Sequence, residues 1–375
     1  MSPKRGDKLP TVWERPAHTK AKHDILVAYL QAWFAIMGHS NWDKKVAVFD
    51  WFAGPGVYAN NEPGSPLLVL EALIDHGHFD RWSDTEFIFL FNEQDPARYH
   101  SLQEVVDSLP NRWSPWPANV TVGAENRTFS ELAEELLANI KNGLIPTFAF
   151  IDPFGYKDAP IDLIKRLLQY DKAELFIYFD FNSVNRFAGK GAGVDHLFEA
   201  LFGTDAFVHA PSSGRERGEF LHNLYEDQLR KVCSMAYVRS FGMVNSTGHI
   251  GNYLFFCTRN LQAFDRMKQA MWKLAPAGDY RFEDRLAGQP VLFGSADLDT
   301  GPLQAALASH FAGRTVLIDE VVNYVIADTP YHSGQVKVKT LKPMQAKGRI
   351  SSPNQRKTGQ FPAGTLVTFP QTTTD

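Results

Sequence analysis

Between residues 45 and 181 the chain alternates five short apolar runs with amphipathic runs of helical period. Near-continuous apolar strands separated by helices are typical of parallel strands that are covered on both faces and joined by right-handed crossovers. We therefore predict an α/β fold, a doubly wound sheet with helices on both faces. The predicted strands are 45–52, 86–92, 120–123, 146–152 and 173–181, and the predicted helices are 18–37, 66–76, 96–109, 129–141 and 161–169.

Beyond residue 182 the alternation loosens, and a linker rich in Pro, Gly and Asp is predicted at 276–301. We expect a large domain at 1–300, which begins with a polar segment at 1–17, and a small domain at 302–370. Before the linker the sequence predicts helices at 194–202, 219–233 and 261–274, closing strands at 236–244 and 253–258, a mobile loop at 210–218 and a turn at 246–252.

The small domain has the order of a winged helix. Helices are predicted at 303–312 and 318–327, then a third basic element at 335–347 and a hairpin of 349–351 with 365–369. Pro343 should shorten or kink the third element, because an interior proline costs about 3 kcal/mol.

The charge of the chain is uneven. From Tyr331 to Asp375 seven Lys or Arg stand against one acid, a net charge of +6, which leaves −10 for the residues before them. A local positive field attracts phosphates, although a solvated lysine-rich surface explains the pattern equally well. The candidate nucleic-acid contacts are Lys337, Lys339, Lys342, Arg356 and Lys357.

Composition excludes several classes of protein. A chain of 375 residues that is 44% hydrophobic can bury a large core, so it is not a disordered or fibrous protein. Its two cysteines, Cys233 and Cys257, lie in apolar segments and offer neither a disulfide framework nor a cysteine-rich metal site. The twelve histidines show no metal-ligand spacing, so we predict no required metal. No run approaches the ~20 apolar residues of a membrane span, and we expect a cytoplasmic protein with no membrane partner.

The first candidate site follows the first strand, in DWFAGPGVY at 50–58. Small residues let the backbone approach a ligand, and Asp50 can hold an amino group. A helix that begins at Ser65 would favour a carboxylate. The pattern D-x-F-x-G-x-G resembles motif I of S-adenosylmethionine-dependent methyltransferases, although a tight turn would also use these glycines. The candidate cofactor contacts here are Asp50, Phe52, Ala53, Gly54 and Gly56.

Two further cofactor contacts are predicted after the next strands. Glu93 ends the second strand, where an acid can accept hydrogen bonds from both ribose hydroxyls of a nucleoside. It could equally be an exposed helix-capping acid, and Asn92 or Asp95 could take either part. After the third strand, Asn126 is a candidate for contact with the adenine ring.

The second candidate site follows the fourth strand and runs from Asp152 to Tyr156. Asp152 and the carbonyl of Pro153 could accept the protons of a planar amine while Phe154 or Tyr156 stacks on its ring. The segment resembles the D-P-P-Y motif of amino-directed nucleic-acid methyltransferases. It departs from that motif at Phe154 and Gly155, and a simple turn is the alternative.

Taken together, the motifs resemble one family. DWFAGPGVY, FNE (91–93), AFIDPFGY (149–156) and MKQAMWKL (267–274) are similar to the bacterial three-Cys-motif partner proteins, and the match runs from Trp13 to Phe282. This resemblance implies a Rossmann-like methyltransferase domain that uses S-adenosylmethionine and a radical-SAM-like partner protein that carries the three cysteines. It also implies a mobile-element or phage context.

The leading functional hypothesis is methyl transfer from S-adenosylmethionine to a nucleic acid, with a base amino group as one acceptor. The alternatives are a non-catalytic DNA-binding or adaptor protein with a vestigial or sensing Rossmann domain, and a maturation partner that acts on a protein or small molecule. Six further basic residues could contact phosphate, although each is more simply solvated surface: Lys20, Lys22, Arg186, Lys190, Arg215 and Arg217.

Overall fold

The computed structural model describes residues 11–40, 44–140, 144–191, 193–245, 247–276, 278–283 and 298–371. The chain forms two compact units, each with its own core. The first comprises Met1–Arg259 and Phe282–Ala287, and the second comprises Asn260–Arg281 and Gly288–Asp375. No helix among these residues is long and apolar enough to cross a bilayer.

The first unit is built on a central sheet with helices between its strands. Its strands are β1 (Lys45–Asp50), β2 (Glu86–Asn92), β3 (Val120–Glu125), β4 (Thr147–Ile151), β5 (Ala173–Phe179), β6 (Tyr237–Val244), β7 (Ile250–Thr258) and the short β8 (Arg281–Glu283). Its helices are α1 (Ala17–Gly38), α2 (Ser65–Ile74), α3 (Pro96–Arg112), α4 (Phe129–Asn139), α5 (Ile161–Leu167), α6 (Phe181–Phe187), α7 (Asp195–Phe202) and α8 (Gly214–Lys231).

The strand order is β3-β2-β1-β4-β5-β7-β6-β8. Strands β1 to β5 are parallel, and β7 runs antiparallel to both β5 and β6. The chain moves outward from β1 to β3 and then returns to the other side of β1, so the order reverses between β1 and β4. This reversal makes a doubly wound, Rossmann-like sheet, and ligands bind such sheets at the carboxyl ends of the strands beside it. The predicted α/β class with a central sheet is confirmed.

Helix α1 covers one face of the sheet. Its Ile25, Leu30 and Phe34 are fully buried, and all five residues of β4 are buried because helices cover both faces. The hydroxyl of Tyr29 donates a hydrogen bond to the carboxylate of Glu174 on β5. Burial raises the pKa of Glu174 to about 7.

Several predicted boundaries in the first unit are wrong. Strand β5 ends at Phe179, and Asp180 then caps the unpredicted helix α6 by accepting a hydrogen bond from the amide of Ser183 at 3.2 Å. The loop predicted at 210–218 is helical from Gly214, and β7 begins at Ile250 inside a predicted turn. The residues of the predicted linker at 284–297 lie outside the described part of the chain.

The second unit contains α9 (Leu261–Leu274), α10 (Gly301–His310), β9 (Thr315–Leu317), α11 (Ile318–Asp328), a π-helix (Lys337–Leu341), α12 (Lys342–Ala346) and β10 (Leu366–Thr368). The ammonium of Lys268 on α9 is fully buried and donates to the carbonyls of Ile326 and Thr329, each at 2.8 Å. Helix α9 is therefore fixed to the end of α11 within this unit. The domain limits drawn from the sequence stay a prediction.

The hairpin predicted near the C-terminus has a different pairing. Strand β10 pairs antiparallel with β9, and Ser351 adds only an isolated bridge to Thr368. Pro343 occupies the second position of α12, where no intrahelical donor is required, and so the third basic element is divided just before it. The winged-helix interpretation stays a prediction.

Candidate active site

A cavity of about 1120 Å³ lies in the first unit at the carboxyl ends of β1, β4 and β5. Its wall is made by the loops at 52–59 and 152–157, by Tyr178 of β5, by Asp180 with the start of α6, and by the start of α1 with the segment before it. Such a volume holds a cofactor together with part of a substrate. The cavity therefore lies at the edge of the sheet where the strand order reverses.

The loop after β1 forms a wall of small residues. Gly54 and Gly56 have φ angles of +63° and +79°, which glycine adopts without strain. A Cβ atom at Gly54 would meet nothing within 4 Å, so this position faces open space. The amide of Gly64 donates to the carbonyl of Gly56 at 2.9 Å and holds the loop closed. Four predicted cofactor contacts line the cavity together: Phe52, Ala53, Gly54 and Gly56.

Asp50 lies just behind this loop and is only 1% exposed. Its carboxylate accepts hydrogen bonds from the Ser65 hydroxyl at 2.6 Å and the Phe52 amide at 3.3 Å. Burial raises the pKa of Asp50 to about 7, and the nearby charge of Asp152 adds to the rise. Ser65 lines the cavity, and so Asp50 meets it through a hydrogen-bond partner.

Glu93 is buried and already paired. Its carboxylate accepts from the Asp95 amide at 2.8 Å and from Nε of Arg98 at 3.1 Å. The exposed capping role considered for Glu93 is wrong, because Asp95 caps α3 and Glu93 is 2% exposed. The Asn126 amide donates to the carbonyl of Glu93 at 2.7 Å. Neither Glu93 nor Asn126 is among the described residues that line the cavity, and their cofactor roles stay predictions.

The segment after β4 forms another part of the cavity wall. Asp152, Pro153, Phe154 and Tyr156 all line it. The ring of Tyr156 stacks on Phe198 of α7 with centroids 4.5 Å apart, whereas Phe154 is 45% exposed. Of the two aromatic rings, Phe154 is the more exposed, and the Arg98 guanidinium lies 4.9 Å from the centroid of its ring.

Lys22 is a site residue that the sequence analysis placed on the surface. Its ammonium forms an ion pair with Asp152, and its side chain is only 6% exposed. The interpretation of Lys22 as solvated surface is wrong. Its spacing from Leu26 and Tyr29 puts it on the buried stripe of α1, and this period was the available signal.

The other basic residues near the site divide into two groups. Arg217 is buried and donates to the carbonyls of Asn185 and Ala188 at 2.9 and 2.6 Å, so it fixes backbone and does not contact phosphate. The remaining four are exposed: Lys20, Arg186, Lys190 and Arg215.

His23 is a second site residue that the sequence analysis missed. It lines the cavity beside Tyr58, is 2% exposed, and its Nδ1 has no hydrogen-bond partner among the described residues. Burial and the charge of Lys22 hold the pKa of His23 well below its usual value, so the imidazole is neutral at pH 7. A buried unpaired nitrogen costs free energy unless something bonds to it.

The segment before α1 also forms part of the wall. The carbonyl of Trp13 accepts from the Ala59 amide at 2.9 Å, and its ring meets the rings of Tyr58 and Phe154, each at 5.9 Å. Arg15 pairs with Glu62 at 2.9 Å. The described end of the polar N-terminal segment thus connects the two motif loops.

The described residues contain neither a cluster of metal ligands nor an exposed thiol. The described residues contain no group of three or more His, Cys, Asp or Glu side chains that could hold a metal ion. Both cysteines are buried, and burial raises the pKa of Cys233 to about 12. The thiol of Cys233 is therefore protonated near pH 7 and not nucleophilic. That no metal is required stays a prediction.

The second unit carries the predicted nucleic-acid contacts on neighbouring elements. Lys337 is half-buried, whereas Lys339, Lys342, Arg356 and Lys357 are exposed. The loop at 352–364 is fixed to α12, because the Gly359 amide donates to the side chain of Gln345 at 2.8 Å. The side chain of Lys342 lies against Gly359 of this loop, close in the chain to Arg356 and Lys357.

Comparisons with known proteins add little at the level of sequence. No protein-family model and no curated protein matches the chain. Spermidine synthase from Thermotoga maritima is similar over 68% of this chain and 65% of its own, at 10% identity and a TM-score of 0.32. The METTL16 methyltransferase domain is similar over 62% of this chain and 66% of its own, at 11% identity and a TM-score of 0.30.

A third solved structure, a DUF574 family protein from Streptomyces avermitilis, is similar over 64% of this chain and 83% of its own. Its identity is 10% and its TM-score is 0.32. Methyltransferases are thus among the structures that this chain is similar to. These TM-scores are low, and so the fold is assigned from the strand order and the site from its own geometry.

Proposed function

We propose that the chain is an S-adenosylmethionine-dependent methyltransferase that acts on nucleic acid. One observation carries this proposal: the glycine loop after β1 and the Asp152–Tyr156 segment after β4 line one and the same cavity. The glycine loop suits a cofactor, and the Asp152–Tyr156 segment suits an acceptor. The strand reversal between β1 and β4 is where a doubly wound sheet binds nucleotides.

The residues in and around the glycine loop fit the cofactor. The open space at Gly54 lets a ligand approach the backbone, and the unpaired Nδ1 of His23 is a hydrogen-bonding atom in need of a partner. Asp50 and Ser65 would hold the amino group of the methionine part, and Glu93 would hold the ribose if Arg98 gives up its place. When bound, S-adenosylmethionine supplies an electrophilic methyl group on a sulfonium. The protein then mainly aligns the acceptor and accepts its proton.

Nucleic acid as the acceptor is supported by the basic residues of the second unit. Lys342, Arg356 and Lys357 are exposed. If this unit is a winged helix, they would belong to its groove helix and its wing. Phe154 offers a partly exposed ring on which a base would stack beside the Arg98 guanidinium.

The partner and the compartment belong to the same proposal. The family resemblance supports a radical-SAM-like three-Cys-motif protein as the partner, in a mobile-element or phage context. Two unpaired, buried cysteines agree with a reducing cytoplasm.

Calorimetric titration with S-adenosylmethionine tests the cofactor site. Wild type should bind saturably, and Asp50→Ala and Glu93→Ala should each bind at least about tenfold more weakly because an acceptor is lost. Glu104→Ala, which removes an exposed acid of α3, is the matched control and should bind like wild type. No binding by folded wild-type protein would contradict the proposal.

One observation favours the second candidate, a non-catalytic DNA-binding or adaptor protein. The carboxylates of Asp50 and Glu93 already have donors, Ser65 and Arg98, without any ligand. Such a protein would bind nucleic acid with steep salt dependence and with no response to S-adenosylmethionine. The calorimetric result therefore decides between the two candidates.

A further inference from the structure

Lys22 and Asp152 present a donor and an acceptor side by side in the cavity. Both line it, and the side chains are 6% and 22% exposed. The Lys22 ammonium also lies 4.9 Å from the centroid of the Tyr178 ring, which is on β5 and lines the same cavity. Asp152 is the more exposed member of the pair, so a substrate atom that reaches its carboxylate binds beside the ion pair with Lys22.

This pair is poorly matched to an amino group of a base. Such an amine offers N–H donors, and the nitrogen lone pair is delocalised into the ring. An ammonium has three donors and no acceptor, so Lys22 and the amine would compete for Asp152 without bonding to each other.

A hydroxyl group satisfies both members of the pair. It donates its proton to the Asp152 carboxylate and accepts a hydrogen bond from the Lys22 ammonium at the same time. The positive charge also favours the negative charge that develops on the oxygen as its proton leaves.

We propose that the methyl acceptor is a hydroxyl oxygen, and that the nucleic acid is RNA, which offers its ribose 2′-hydroxyl. This inference rests on the proposed methyl transfer to nucleic acid and replaces the base amine as acceptor. The 2′-hydroxyl is the group that distinguishes RNA from DNA at a given site.

The chemical step balances with the groups already present. The acceptor oxygen attacks the methyl carbon, the bond between that carbon and sulfur breaks, and its electron pair stays on sulfur as a neutral thioether. The hydroxyl proton passes to the Asp152 carboxylate. Lys22 keeps its proton and stabilises the oxygen through the transfer, so Lys22 and Asp152 are the catalytic residues.

The deciding experiment measures binding and so does not require turnover. Fluorescence anisotropy compares a mixed-sequence single-stranded RNA of 20 nucleotides, the same sequence as DNA, and the RNA with every 2′-hydroxyl methylated. S-Adenosylhomocysteine is present throughout, and the full-length protein is used. We expect wild type to bind the RNA about tenfold more tightly than either of the other strands. Equal affinity for the RNA and the DNA would overturn the proposal.

Variants of α1 assign this preference to the site. Lys22→Met should lose the preference for RNA, whereas Lys20→Met, which removes an exposed lysine of the same helix, should keep it. Lys22→Arg keeps the charge and the donors and covers the case in which the methionine variant does not fold. A preference that survives in folded Lys22→Met, or that is lost with Lys20→Met, would overturn the assignment to Lys22.

The position of the transferred methyl gives a second test. Wild-type protein is incubated with bacterial RNA and deuteromethyl-labelled S-adenosylmethionine, and the digested nucleosides are analysed by mass spectrometry. Label on the ribose supports the proposal, and label on a base amine overturns it. If calorimetry finds no cofactor binding, the methyltransferase function fails, while a Lys22-dependent preference for RNA would still support hydroxyl recognition.

Discussion

The imidazole of His23 is neutral, and its Nδ1 has no hydrogen-bond partner among the described residues. The residues around it explain the neutrality, because burial and the charges of Lys22 and Arg15 all oppose protonation. One buried polar atom without a partner destabilises the protein by about 1–3 kcal/mol, and a ligand that supplies the missing hydrogen bond removes this penalty. The position of His23 in the cavity wall makes the cofactor or the acceptor that ligand.

Replacing His23 with phenylalanine separates a ligand contact from a structural one. His23→Phe replaces the imidazole with an apolar ring and so removes the unpaired nitrogen, and the free energy of unfolding without ligand should stay equal or rise by about 1 kcal/mol. Affinity for S-adenosylmethionine should fall at least about fivefold, a loss of roughly 1 kcal/mol. Urea unfolding and calorimetry measure the two effects. A variant that is less stable and binds normally would show that His23 is purely structural.

At the scale of elements, β1, β2, β4 and β5 were predictable because each is apolar along most of its length, and residues at their carboxyl ends could be named in advance. Asp50, Gly54 and Asp152 were found in this way. Lys22 was named as a residue that could flank the site and contact phosphate, but its ion pair with Asp152 was not predicted, and His23 was not named. Both positions depend on α1 lying against the ends of β4 and β5, which is a tertiary arrangement. Short elements were also missed: α6 has seven residues and β9 has three, too few to show a period.

The burial of Glu174 between α1 and β5 makes the free energy of unfolding depend on pH. Glu174 is buried against Tyr29 and has a pKa of about 7, higher than in the unfolded chain. The folded protein therefore holds the extra proton between about pH 4 and pH 7, and the free energy of unfolding falls as pH rises through this window.

Glu174→Gln removes this titration while keeping a similar shape. Relative to wild type, the variant should gain stability between pH 5 and pH 8, on the order of 2–3 kcal/mol. Urea unfolding at the two pH values measures the difference. Glu104→Gln controls for the loss of one exposed acid and should follow wild type at both. A difference that does not change with pH would show that the pKa of Glu174 is not raised into this range.

At the scale of the whole molecule, charge differs between the part of the chain from Tyr331 onward and the residues before it. The residues before Tyr331 carry a net charge of −10, and those from Tyr331 onward carry +6. A polyanion is therefore repelled by most of the chain and attracted by the basic end. Within that end, the hydrogen bond from Gly359 to Gln345 holds the loop of Arg356 and Lys357 against α12.

Removing three exposed basic residues of the second unit should make nucleic-acid affinity less dependent on salt concentration. The triple variant Lys342→Ala, Arg356→Ala, Lys357→Ala loses three phosphate contacts, and each contact contributes about 0.7 to 0.9 to the slope of log affinity against log salt. The slope should fall by about 2 to 3 and the affinity at low salt should drop. The matched control removes three exposed lysines of the first unit, Lys44, Lys45 and Lys231, and so changes the net charge equally. Because a uniform field would respond to both triples alike, equal slopes in the two variants would show that total charge, and not this surface, attracts the nucleic acid.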